Sequence, residues 1–295
     1  MMLSNIMEKE RTAFADAVAN IVASVAPEKM ICYGRRMDYH ESWSKFLPAV
    51  DAHCLSYYDM LIVTKETDEQ RESEILRRID ACAKAPIHIT ALVHSIAAVN
   101  KEIRGGNAFF VAMYHKGMVV YDSKNIPLTI PDAELDEQKL ARKAEKDWNQ
   151  SSGLAEKYLT VAGMCVARAT SDLWGISVLM AYEAAAHSCR AIIKYYTGYW
   201  AETPDLRRLL LLMKNFASAG EAVFPRGTQE ETELFDALIN AHNDKRHRDD
   251  YKVEPWIMGM ARSRARHFVE VVEKLHEEKR NATLMQGQSG DLHHK

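Results

Sequence analysis

The sequence has no apolar run near the ~18 residues that would read as a membrane-spanning helix. Its first ten residues, Met1 to Glu10, lack the basic-then-apolar order of a signal peptide. Glycine and proline are sparse, 13 and 8 in 295 residues, which excludes collagen-like and low-complexity chains. The five cysteines (Cys32, Cys54, Cys82, Cys165, Cys189) are odd in number, widely spaced and never arranged as Cys-x-x-Cys. That pattern argues against a disulfide framework or zinc knuckle and predicts a reducing, cytoplasmic setting without a membrane. Excess charge of one sign is missing too: 38 basic against 41 acidic residues leave a net charge of −3, so no global basic field advertises nucleic acid. What is present is 47% hydrophobic residues. At roughly 150 residues per domain, the length predicts two domains.

The pattern changes character near residue 125. Phe14, Val18, Ile21, Val22 and Val25 recur at helical spacing, and Met30–Gly34 reads as a buried strand. A polar, aromatic loop is expected from about Arg35 to Leu55, then a second strand over 57–64 rich in aromatic and β-branched residues. Thr67 and Gln70 mark a capping box for a charged helix reaching about Lys84. A third strand covers 87–93 and a short helix 96–104, and apolar runs at 108–114 and 118–121 around His115-Lys116-Gly117 read as a hairpin. Beyond Pro131 only helical patterns follow, through stripes such as Leu154/Tyr158/Val161/Cys165, Leu179/Tyr182/Ala186/Cys189/Ile193/Tyr196 and Leu206/Leu209/Leu210/Met213. The fold expected is therefore α+β, with an N-terminal α/β domain followed by a C-terminal antiparallel helical bundle. The boundaries expected are 1–125 for the first domain, 126–150 for a bridging helix with Trp148 as anchor, 151–280 for the bundle and 281–295 for a frayed tail.

Two segments carry the chemistry. Ile31-Cys32-Tyr33-Gly34-Arg35 followed by Ser56-Tyr57-Tyr58-Asp59-Met60-Leu61-Ile62-Val63 places a glycine beside one strand and a carboxylate within the next. In order and spacing, residues 10–125 resemble the minimal nucleotidyltransferase family, in which strand-Gly-Ser precedes a strand carrying Ser-Asp-x-Asp. The resemblance implies a nucleotide site with Gly34 and Asp59 at the phosphates, Asp59 as metal ligand and catalytic carboxylate, and Mg²⁺ with ATP or GTP as cofactors. This chain departs from the family at decisive places. Arg35 replaces the serine, Tyr57 replaces the first aspartate, and the strand Ile87–Val93 has no acid. A single carboxylate holds Mg²⁺ weakly, and Asp38 or Asp51 would have to fold back to help. Arg35 and Arg36 can instead bind phosphate as a cationic fork without metal. His88 and Thr90 alternate on one strand face, either as part of the same cleft or as ordinary hydrogen-bonded strand residues.

In the second half, Tyr182-Glu183-Ala184-Ala185-Ala186-His187-Ser188-Cys189-Arg190, then Thr203-Pro204-Asp205-Leu206, then Ala241-His242-Asn243-Asp244-Lys245-Arg246-His247-Arg248-Asp249-Asp250-Tyr251 succeed one another. That succession looks like the HEPN domain, a helical bundle that recurs beside minimal nucleotidyltransferases. It implies nucleotide or RNA partners, a phosphate contact at Arg246 and a homodimer through the helical domain. Metal-independent ribonucleases of that family use Arg-x(4–6)-His. Arg246 is not followed by histidine at that spacing, while Arg262 and His267 satisfy it inside the last helix. Arg264 falls on that helix's apolar stripe, where an unpaired charge would be costly. The expected function is a nucleotide- or RNA-binding regulatory or defence-type protein, toxin–antitoxin-like, with an eroded catalytic site. The alternatives are an active nucleotidyltransferase and a HEPN-type ribonuclease.

Overall fold

The computed structural model describes residues 2–42, 51–66, 69–132, 136–167, 171–245 and 253–290. The chain divides into two compact units, Met1–Leu135 and Asp136–Lys295. The first is mixed α+β and the second is helical.

The first unit opens with α1 (Met2–Val25), followed by β1 (Lys29–Ser42), β2 (Asp51–Thr64), α2 (Glu69–Cys82), β3 (Ile87–Ser95), α3 (Ile96–Arg104), α4 (Ala108–Lys116) and β4 (Met118–Asp122). The four strands form one sheet in the order β3-β2-β1-β4. β1 runs antiparallel to β2 and β4, and β2 runs parallel to β3. Period-two alternation divides the strands between two faces. One face (Met30, Cys32, Tyr58, Met60, Ile62, Ile89, Ala91, Val93) packs on Ala17 and Ile21 of α1 and Ile75 and Ile79 of α2. The opposite face, with Ile31, Leu61 and Leu92 buried, is covered by α3 and α4.

The sequence reading differs from the structure in two places here. Residues 35–42 and 51–55 are strand rather than loop, the β1–β2 ribbon holding register out to Ser42↔Asp51. Ala108–Lys116 is a helix, not the first arm of a hairpin. Gly106, at φ 67°, breaks the chain after α3, and the Asn107 side chain accepts the Phe109 N–H at 3.1 Å to start α4. Phe109, Phe110 and Val111 are then buried, which a short apolar run satisfies as well in a helix as in a strand. Thr67, the expected N-cap, lies outside the described residues, as does the side chain of Gln70.

The second unit consists of α5 (Glu137–Ser151), α6 (Gly153–Ala167), α7 (Ser171–Thr197), α8 (Leu206–Met213), α9 (Ala219–Val223), α10 (Gln229–Lys245) and α11 (Pro255–Gly290). α7 is the central element and packs on α5, α6, α8, α10 and α11. Its alanines 181, 184, 185 and 186 are fully buried, so small side chains let the neighbouring helices approach. The Ser177 hydroxyl donates to the Ala162 carbonyl at 3.1 Å and ties α6 to α7. At the far end Trp148 of α5, 7% exposed, stacks on His276 of α11 (4.2 Å, 7°) and meets Tyr195 of α7 edge-on. Glu145 joins the same cluster, bonded by the Tyr195 hydroxyl at 3.1 Å and by His276 Nε2 at 3.3 Å. Arg264 resolves its place on an apolar helix by donating to the Val223 carbonyl at 3.1 Å. Among the described residues no helix is long and apolar enough to cross a membrane.

Candidate functional site

The chemistry-bearing residues of the first unit lie on the sheet in rows set by strand register. A β-bulge between Cys32 and Gly34 inserts Tyr33 into β1. Before the bulge the odd residue Ile31 pairs with Leu61. After it the even residues Gly34 and Arg36 share that face, opposite Asp59 and Tyr57. Across β1, β2 and β3, the first row on this face is Ile31–Leu61–Leu92, buried beneath α3 and α4. The second is Gly34–Asp59–Thr90, and the third is Arg36–Tyr57–His88. The helical cover thins toward the third row, where Arg36 and Tyr57 are half-buried and His88 is exposed.

Asp59 is completely buried, and Arg36 neutralises it with two contacts, Nη1 to Oδ2 at 2.9 Å and Nη2 to Oδ1 at 3.5 Å. The carboxylate rests against Gly34, where a Cβ would lie 2.6 Å from Oδ2. Glycine is required there for close approach, not for a turn, because Gly34 lies within β1. The Arg36 guanidinium also sits 5.9 Å from the centre of the Tyr57 ring, and Tyr57 stacks on His88 at 5.0 Å.

Arg35 serves the other face. It binds Glu10 of α1 at 2.8 Å, and Glu10 also accepts the Tyr58 hydroxyl. Glu10 is 3% exposed, and Phe14 stacks on Tyr58 at 3.9 Å. Burial, then the Glu10 carboxylate, pushes the Tyr58 phenol well above its ordinary pKa. Burial likewise raises the Cys32 thiol, which donates to the Gly34 carbonyl. Sequence reasoning missed Glu10. Its position four residues before Phe14, on the same helical stripe, was the available signal.

The two arginines therefore do not form one phosphate fork: strand alternation puts them on opposite faces, each with its own carboxylate. The residues present do not fit Mg²⁺ either. Asp59 is enclosed and already paired with a cation, and among the described residues no three His, Cys, Asp or Glu side chains come together as a metal-binding group. Asp38 lies on the Arg36 face one row further along β1, and the side chain of Asp51 is outside the described set.

In the helical unit, Arg246 and the segment 246–252 lie outside the described residues, with Asp250 and Tyr251 among them. Arg262 and His267, five residues apart on α11, diverge by about 140° around the helix. His267 is exposed and its ring is 3.8 Å from Glu270, so the pair does not converge on one phosphate within a single chain. Arg262 sits instead against Gly163 of α6, its Nη2 3.0 Å from where a Cβ would stand. A second polar cluster joins α7 to α10. His242 Nδ1 lies 3.2 Å from Glu183 and its ring stacks on Tyr182 at 4.6 Å. The Tyr182 hydroxyl donates to the Pro204 carbonyl and accepts from the Leu206 N–H at 3.2 Å. Burial lowers the His187 pKa, and its Nε2 lies 3.0 Å from the Ser151 carbonyl. No protein-family model matches the sequence, and no curated protein is similar to it.

Proposed function

We propose that the protein is a noncatalytic nucleotide- or RNA-binding protein, with a nucleotidyltransferase-like first unit and a HEPN-like helical unit, acting in regulation or defence. The observation that carries the reading is the Arg36–Asp59 pair. The carboxylate on the strand where nucleotidyl transfer would need metal is enclosed and neutralised by the protein's own cation. Phosphoryl-type chemistry draws most of its acceleration from charge stabilisation by metal ions at such a carboxylate. Arg36 supplies one fixed positive charge at the same carboxylate but leaves no coordination position for a substrate oxygen. A homodimer through the helical unit belongs to the same proposal. Leu154, Val161 and Met164 support it, forming an apolar stripe on α6 with 37%, 41% and 61% exposure.

The expected result in a transfer assay with α-labelled ATP or GTP, Mg²⁺ and protein or RNA acceptors is no label incorporation above background. Asp59→Ala should be indistinguishable from the unaltered chain. Mg²⁺-dependent incorporation that disappears in Asp59→Ala would establish an active nucleotidyltransferase instead.

A further inference from the structure

The third row of the sheet ends in an open aromatic surface. Arg36, Tyr57 and His88 are direct cross-strand neighbours on β1, β2 and β3. They form a ladder: the guanidinium carbon lies over Tyr57 at 5.9 Å, and Tyr57 stacks on His88 at 5.0 Å with 17° between the rings. The ladder stops at His88, because β3 is the edge strand of the sheet. With strands about 4.8 Å apart, one further planar group on the outer side of His88 would continue the stack in the same register. His88 is exposed, so that side is accessible.

The chain just before β3 supplies a charge for the same ligand. The Ile87 N–H donates to the Lys84 carbonyl at 2.9 Å, and this turn keeps Lys84 beside the entrance of the strand. Lys84 is exposed and makes no ion pair among the described residues. A flat ring surface with a neighbouring cation suits a base carrying a phosphate, which it meets by stacking and by charge.

Resting on the nucleotide-binding reading above, we infer that the outer face of His88 is a stacking platform for the base of a nucleotide, with Lys84 at its phosphate. Asp59 takes no part in this contact. It acts only by holding Arg36 over Tyr57, which keeps the ladder upright.

The test is calorimetric titration in EDTA with AMP, ribose 5-phosphate, ATP and GTP, on the full chain and on His88→Ala and His88→Phe. His88 is exposed, so both variants should melt with the parent protein. AMP should bind the parent, lose about tenfold in affinity in His88→Ala, and be retained in His88→Phe. Ribose 5-phosphate should bind weakly and equally to all three. Unchanged AMP affinity in His88→Ala overturns the platform, as does ribose 5-phosphate binding as tightly as AMP. If ATP or GTP still binds in those cases, the nucleotide-binding reading survives. If none of the nucleotides binds the parent protein, both fail.

Discussion

Arg36→Ala is expected to lower the stability of the first unit by about 3 kcal/mol, the largest effect of any exposed-side substitution near the site. Removing one partner of a buried ion pair leaves the other charge uncompensated, which typically costs about 3–5 kcal/mol. The low end applies because the Arg36 side chain retains 21% exposure while that of Asp59 has none. For a unit of this size the melting temperature should drop by on the order of 10 °C. Adding Asp59→Asn should recover much of the loss, since the amide no longer needs a cation, and the recovery measures the coupling directly. A single-variant shift below about 2 °C in differential scanning calorimetry would mean the pair is dispensable and that Asp59 finds its compensation elsewhere.

Trp148→Ala is expected to destabilise the helical unit by about 3–5 kcal/mol, the usual cost of truncating a buried aromatic residue. The indole holds α5 against both α7 and α11 through its stacking on His276 and its edge contact with Tyr195. Its removal also loosens Glu145, whose carboxylate binds the Tyr195 hydroxyl and His276. Trp148→Phe should cost markedly less, because a ring still fills the space above His276. Equal losses in the two variants, read from chemical denaturation of the full chain, would contradict this, because phenylalanine keeps a ring over His276 and fills most of the space that alanine leaves empty.

The alternation of Tyr57, Asp59 and Leu61 follows from the sequence because β2 is regular, and it sets Asp59 on the face that meets Gly34. Which arginine shares that face was not legible. Periodicity from Ile31 would have brought Arg35 to the Asp59 face, and the single inserted residue Tyr33 reverses that assignment. A bulge changes the phase of every later residue without changing composition, so hydrophobic pattern alone does not reveal it. The ribbon beyond Arg36 was hidden for a related reason: its polar residues read as loop, although backbone hydrogen bonds continue the ladder. The helical stripes of the second unit were legible over many turns, as in α7 and α11. α4 was not, because a nine-residue, largely apolar segment fits either period, and the decision falls to Gly106 and the Asn107 cap. Glu10 and Tyr58 meet across 48 positions of sequence, a pairing that no local pattern reports.

Under the proposed function a nucleotide binds without a metal at Asp59, because Arg36 already occupies that carboxylate. The most direct test is the affinity of the unaltered chain for ATP, measured once in millimolar Mg²⁺ and once in EDTA. Saturable binding is expected in both, with dissociation constants within about threefold of each other, and the same constancy in Asp59→Asn. Binding that appears only with Mg²⁺ and is abolished in Asp59→Asn would contradict it.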